Sequence, residues 1–486
     1  MDISKYRIES DSLGEKLVPK DAYYGIQSLR GKENFQITKQ KVHSEMIKAV
    51  AITKKAAALA NFQAGMLSEK ICNAIVQACD EIIAGKFQNQ FITDMIQGGA
   101  GTSINMNANE VIANRAQELL GGQKGVYDIV HPNDHVNFGQ STNDVIPTAA
   151  KIATIKLANR LLVEMRHLHK AYLDKANEFG GIIKMGRTHL QDAVPIRLGQ
   201  EFNAFASALE RDIKRIEESL EDLKYLNMGA TAVGTGLNAN RKYIENVVKI
   251  LAELTNIDFK QADDLVDATR NLDPFVWLSS ALKTCAVNLS KTANDLRLMA
   301  SGPKAGFNEI NLPQMQPGSS IMPGKVNPVI PEVVNQIAFQ VFGNDVTITK
   351  ACEAGQLELN VFGPVIYANI FQSLDILRRG INTFYEKCIK GITVNKDMCI
   401  HYVERSAGIV TALAPHIGYK LASEIAKEAI KLNRSVKELV IEKKILTPEE
   451  LDIILNINNL TSPGISGEEL LIKKMKKQEN NGVNNA

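Results

Sequence analysis

The chain has no Cys-x-x-Cys pair among its six cysteines (Cys72, Cys79, Cys285, Cys352, Cys388, Cys399) and no His-Glu-x-x-His spacing among its eight histidines. The first absence argues against a disulfide framework and a thiolate zinc site, the second against an imidazole-bound metal. No stretch reaches the ~18 apolar residues that a membrane span needs, and the charged segment Met1 to Lys16 has no apolar signal core. A charge excess is lacking too: 56 basic against 54 acidic residues leave a formal +2, well interspersed. Neither nucleic acid nor an anionic membrane has a basic field to bind, so any anionic ligand must be gripped locally. β-branched alternation is scarce. A cytoplasmic, mainly α protein is expected.

What is present is helical periodicity over a chain of 486 residues, long enough for two to four domains or one very elongated unit. Met1 to about Phe35 reads as irregular, and Ser44–Phe62 and Ser68–Ala84 then read as helices. Between Thr148 and Phe179, apolar residues fall in steps of three and four (Ile155, Ala158, Leu162, Met165, Leu168, Tyr172) before Gly180 and Gly181. After a break at Met185–Pro195, a second helix repeats the pattern through Phe202, Phe205, Leu209, Ile213, Ile216, Leu220 and Leu223. About thirty helical residues span ~45 Å, more than a compact domain needs, so partners must lie along the whole length. Pro274–Ala300, Glu332–Gly343 and Val361–Ile392 can supply them in an antiparallel bundle continued between subunits, which predicts a homo-oligomer. Shorter helices, Pro415–Leu432 and Ser435–Glu442, with a helix start at Thr447, form a small C-terminal module ending in a frayed tail from Lys473.

Four polar clusters interrupt this pattern. Gln97–Glu110 places three glycines ahead of Thr102 and an Asn-rich helix, a pattern that suits both a helix cap and a loop whose amides approach an anion. His131–Asp144 ends in Ser141, Thr142 and Asn143 at a helix entrance, where capping needs only one such residue. The third cluster is Gly186-Arg-Thr-His-Leu-Gln-Asp-Ala-Val-Pro195. The fourth, Gly318-Ser-Ser-Ile-Met-Pro-Gly-Lys-Val-Asn-Pro328, combines loop-forming glycines and prolines with two hydroxyls, a cation and an amide. On its own it suits a solvated turn as well as a mobile ligand loop.

Taken together, in this order, the four clusters resemble the aspartase/fumarase superfamily, whose signature the run Gly318–Pro328 resembles; the likeness extends from about Arg7 to Leu460. The resemblance implies a homotetramer with a twenty-helix core and active sites assembled from three subunits. Each subunit would have three domains, here residues 1–143, 144–396 and 397–486. It also implies proton removal beside a carboxylate, an aci-carboxylate intermediate, and loss of the group on the adjacent carbon. Ser319 is then the expected general base, and Thr102, Ser141, Thr142 and Ser320 the donors to the reacting carboxylate. Lys325, Asn327 and Thr188 would clamp the other carboxylate, and Asn143 and His189 would meet the leaving group. No cofactor is required, and activation by a divalent cation is left open.

Within the superfamily the competing expectations are an ammonia-lyase acting on L-aspartate and a hydratase acting on fumarate and malate. Gln97-Gly-Gly-Ala-Gly-Thr-Ser103, Ser141-Thr-Asn-Asp144, Gly355–Pro364 and Val18–Ile26 resemble the ammonia-lyase branch. His131-Pro-Asn-Asp134 resembles instead a secondary dicarboxylate site of the hydratases. A non-enzymatic helical scaffold is a third alternative, against which Ser319, Lys325, Asn327 and Asn143 all argue.

Overall fold

The computed structural model describes residues 2–483. It is mainly helical, with four small two-stranded sheets among the described residues. No helix among them is long and apolar enough to cross a membrane. The chain divides into two compact units: residues 1–165, 211–289 and 336–380 in one, and residues 166–210, 290–335 and 381–486 in the other.

The first unit opens with strands β1 (Tyr6–Asp11) and β2 (Gly14–Pro19), paired antiparallel, and helix α1 (Ile26–Asn34). This corrects the expectation of an irregular segment to Phe35. The strand signal is hidden because the inward position of β1 is filled by Glu9, 4% exposed, paired with Arg7. Arg7 also donates to the carbonyls of Pro19, Lys20, Ala22 and Tyr24, holding the hairpin to the chain that follows.

Helices α2 (Ser44–Gln63) and α3 (Glu69–Ile83) pack together as the apolar pattern predicts, capped by His43 and Ser68. Helix α4 (Thr102–Leu119) is buried almost all round although it is rich in polar side chains. Those side chains hold loops. Asn107 accepts from Ile92 N and donates to Gln90 O, Asn114 joins Tyr23 O to Gly125 N, and Gln117 accepts from Ile129 N and Val130 N. Glu110 accepts from the amides of Gly25, Gln27 and Ser28 and from the Ser28 hydroxyl.

The long helix α5 runs Thr142–Glu178, entered at Ser141–Asn143 as the polar cluster suggests, and carries Pro147 inside it. A proline there leaves the carbonyl four residues back without its helical partner. That carbonyl, Asn143 O, accepts instead from Asn227 Nδ2 at 3.0 Å, so a side chain from a distant loop replaces the missing bond.

The expected break after α5 is a hairpin, β3 (Ile183–Thr188) and β4 (Gln191–Arg197), followed by α6 (Leu198–Ser219). Helix α7 (Arg241–Thr255), which the apolar pattern did not single out, packs on α2. After a short α8 (Leu265–Arg270) come α9 (Asp273–Met299), α10 (Val329–Glu353) and α11 (Gly363–Lys387). Helix α10 passes through Gly343, where the sequence suggested a stop.

In the second unit Ile183 and Met185 of β3 enter one apolar core with Val403, Leu413, Ile425, Val436, Leu439 and Leu451. Those residues come from α12 (Lys396–Arg405), α13 (Val410–Ile417), α14 (Tyr419–Leu432), α15 (Val436–Glu442) and α16 (Pro448–Ile454). The single helix expected from Pro415 to Leu432 is split at Gly418, φ +84°. Thr447 and Glu450 form the reciprocal cap that their spacing predicts. After α17 (Ile457–Leu460), α18 (Glu468–Val483) runs through the lysine-rich stretch; residues 484–486 of the expected frayed tail lie outside the described residues.

The Pro147 arrangement is testable. Asn227→Ala, which strands a carbonyl inside the first unit, is expected to cost about 1–3 kcal/mol and lower the melting temperature. Pro147→Ala in the same chain restores an N–H to Asn143 O. Recovery of the melting temperature in the double variant is therefore expected; none would refute the exchange.

Candidate functional site

The glycine cluster and the entrance of α5 lie together in the first unit. Gly99, Ala100 and Gly101 follow one another with φ of +83°, +57° and +94°, folding the chain sharply into α4. A Cβ on Gly101 would lie 3.0 Å from Ile146 Cγ2, so the turn rests on α5. It is braced from behind: Gln97 donates to Asp94 O and accepts from Ile104 N. Asp94 in turn accepts from the amides of Ile37, Thr38, Lys39 and Ile96. Thr102 begins α4 exposed, its hydroxyl donating to Gly99 O at 2.6 Å. With glycine at the cap position, no side chain closes this helix end.

At the start of α5 one residue does the capping. Ser141 Oγ accepts from Asn143 N at 3.2 Å, and the Asp144 carboxylate accepts from Ser141 N at 2.9 Å. Thr142 Oγ1 receives only a long bond, 3.4 Å, from Asn105 Nδ2, and Asn143 Nδ2 donates to Ala232 O at 2.7 Å. Three of the predicted residues, Ser141, Thr142 and Asn143, thus line one partly exposed surface beside Thr102.

Two charges lie behind this surface. Asp144, fully buried, accepts also from Gly229 N and Thr231 N; burial pushes it up to about 6 against the pull of those amides and of Lys54. Lys54, equally buried on α2, donates to Asn137 Oδ1 at 2.7 Å and Gln140 Oε1 at 3.0 Å, and burial brings it down to about 7. Both fix the segment 137–144. The sequence marks Asp144 only as part of the Ser141–Asp144 motif and Lys54 not at all, because a lysine in an Ala-rich helix carries no local mark of burial.

His131-Pro-Asn-Asp134 forms the start of one turn of π-helix, Pro132–Val136, with His131 Nδ1 accepting from the amides of Asn133 and Asp134.

The remaining predicted residues lie on two segments of the second unit. Thr188 and His189 stand at the tip of the β3–β4 hairpin, both exposed, with His189 and Leu190 at φ of +55° and +60°. Such a two-residue turn favours Gly, Asn or Asp, so its present residues hold a strained backbone. Beneath it is a buried ion cluster. Glu309 meets Arg187 at 2.7 Å and Lys184 at 3.0 Å, and Lys184 also meets Glu201 at 3.0 Å, whose carboxyl burial raises.

Ser319, Ser320, Lys325 and Asn327 share the loop before α10. Ser319 Oγ accepts from the backbone amides of Ile321 at 3.2 Å and Met322 at 2.9 Å. Asn327 Nδ2 closes the loop by donating to Gly318 O at 2.6 Å, while Ser320 and Lys325 remain exposed. Ser319 thus opens a turn whose amides converge on its hydroxyl oxygen. Among the described residues no hydrogen bond joins this loop to the hairpin tip. The predicted residues are thus divided between the two units, Thr102 and Ser141–Asn143 in the first and Thr188, His189 and the Ser319 loop in the second.

Comparison with known proteins gives a consistent likeness. Residues 14–343 match the family described as Lyase, and residues 409–462 match that described as Fumarase C C-terminus. The chain is 59% identical over 469 residues to an aspartate ammonia-lyase of Bacillus subtilis (strain 168), across 96% of this chain and 99% of that protein. It superposes on the fumarate lyase:delta crystallin of Brucella melitensis bound to cobalt with a TM-score of 0.92 at 48% identity, covering 94% and 100% of the two chains. On the recombinant class II fumarase of Schistosoma mansoni the TM-score is 0.91 at 37% identity, covering 94% and 99%.

The self-closed loop depends on Gly318, since a Cβ there would meet Lys325 O at 2.0 Å. Gly318→Val is expected to open it. Amide hydrogen exchange across residues 318–328 should accelerate at least ~10-fold, with little change in melting temperature; unchanged exchange would show that the loop does not need the contact.

Proposed function

Because the chain belongs to the lyase family of the aspartase/fumarase superfamily, we propose that it is an aspartate ammonia-lyase, converting L-aspartate reversibly to fumarate and ammonia. The observation that carries the reading is the pair of amides on Ser319 Oγ. Serine is a poor base unless its alkoxide is stabilised, and oriented N–H groups in a site closed from bulk water supply that stabilisation.

In this reading Ser319 removes the proton from the carbon next to one carboxylate, and the electron pair moves into that carboxylate as an aci-carboxylate dianion. Thr102, Ser141, Thr142 and Ser320 donate to it; Thr102 does so by turning from Gly99 O. Donors of this kind act where charge develops, and losing one typically costs about 10²- to 10³-fold in kcat. Lys325, Asn327 and Thr188 hold the second carboxylate, and the lone pair returns to expel the amine, which meets Asn143 and His189. The reading assigns no cofactor to the reaction and gives a divalent cation at most the part of an activator.

The same reading takes the subunit as three-domained, with residues 1–143, 144–396 and 397–486, in a cytoplasmic homotetramer whose sites draw on three subunits. Two features support the assembly. The segments carrying the base and the carboxylate donors are each incomplete. In addition, Val163, Trp277, Val287, Phe339 and Val346 on the long helices are 45–63% exposed, an apolar surface suited to a second copy.

A fumarate hydratase is the second reading, favoured by His131-Pro-Asn-Asp134 alone. Following fumarate absorbance separates the two. Fumarate is expected from L-aspartate; appearance from L-malate but not from aspartate would establish the hydratase, and none from either the scaffold. Ser319→Ala is expected to lower kcat by about 10³-fold or more while sedimentation still gives a tetramer. Near-normal turnover would remove Ser319 as the base.

A further inference from the structure

We propose that Glu309, acting through Arg187, is a positioning residue that sets the tip of the β3–β4 hairpin and with it Thr188 and His189. The proposal rests on the reading of those two residues as substrate contacts.

The hairpin has a joint. Its register shifts between Met185 and Arg187, and a Cβ at the intervening Gly186 would lie 2.6 Å from Val194 O. On one side, Ile183 and Met185 are sunk in the core formed with the C-terminal helices. On the other side Arg187–Thr188 pairs with Gln191–Asp192 and carries the strained turn, where Leu190 is 66% exposed. Bulges bend and re-aim a strand, so the angle of this tip is not set by the ladder alone.

Glu309 spans the joint. Its carboxylate takes Lys184 Nζ, on the buried side, at 3.0 Å and Arg187 Nη1, on the tip side, at 2.7 Å. The glutamate is itself fixed: its N–H donates to Met299 O, and its carbonyl accepts from Asn395 N and the Cys399 thiol. Arg187 is held in direction as well, because its guanidinium lies 4.1 Å from the centre of the Phe307 ring and 5.3 Å from that of Tyr402. At zero exposure Glu309 cannot reach a substrate. What it can do is transmit a fixed direction to the residue next to Thr188.

Glu309→Gln strips a counter-charge from a buried cluster and threatens folding, so Arg187→Lys carries the test. Lysine keeps the charge and loses the planar fork and the stacking. Two readouts on the full-length protein are used. In hydrogen exchange, amides of 187–192 are expected to exchange faster in the variant while those of 183–185 do not. In kinetics with L-aspartate, Arg187→Lys is expected to lower kcat/KM by roughly 10- to 100-fold, but by less than about twofold in a His189→Ala background, where the tip has already lost a contact. Unchanged exchange at the tip, or an equal loss in both backgrounds, would overturn the proposal. If the parent protein makes no fumarate from aspartate, the functional reading falls, and the exchange experiment still decides the positioning role.

Discussion

The loops around the candidate site depend on one constraint: the buried polar side chains beneath them take backbone groups as partners. Helix α4 illustrates it. Glu110, Asn107, Asn114 and Gln117 are held within a few per cent of full burial, and each is satisfied largely by backbone from the loops around it. An unmet acceptor in such a place costs about 1–3 kcal/mol, so the loops are drawn to the helix as firmly as the helix is drawn to the core. Asp94, Asp144 and Glu309 do the same for the glycine turn, the entrance of α5 and the β3–β4 hairpin.

That bracing explains how the candidate site carries strain. Ala100, His189 and Leu190 have left-handed backbones that non-glycine residues seldom adopt. Each lies beside a predicted contact residue, and each is flanked by a buried side chain that fixes the segment: Gln97 near Ala100, Arg187 with Glu309 near the hairpin tip. Strain of this kind persists only where the surroundings over-determine it. The loop of Ser319 follows another plan. It is closed by its own Asn327 and Gly318, and the amides that donate to Ser319 Oγ come from the next two residues beyond Ser320.

The residues proposed as contacts in the second polar cluster also hold the fold together. Ser141 is both a predicted donor and the cap of α5, and Asp144 completes that cap from below. Asn143 offers its side chain to the site's surface while its carbonyl absorbs the bond that Pro147 denies. A structural role for such a residue therefore does not argue against a chemical one.

The sequence by itself determined the mainly helical class, the long helices and the four clusters, because apolar periodicity and motif order are local properties of the chain. It also marked Ser319, Lys325 and Asn327 as sharing one loop. Only the tertiary structure decided the N-terminal hairpin, whose inward position holds Glu9 where a pattern reader looks for an apolar residue. The same is true of the bond by which α5 passes through Pro147, supplied by Asn227, 84 residues from Asn143, and of Lys54, Asp144 and Glu309 as buried charges. A lysine or glutamate looks the same in sequence whether water or another side chain solvates it. The difference between those two fates is made by segments distant in the chain, and that is where local reading ends.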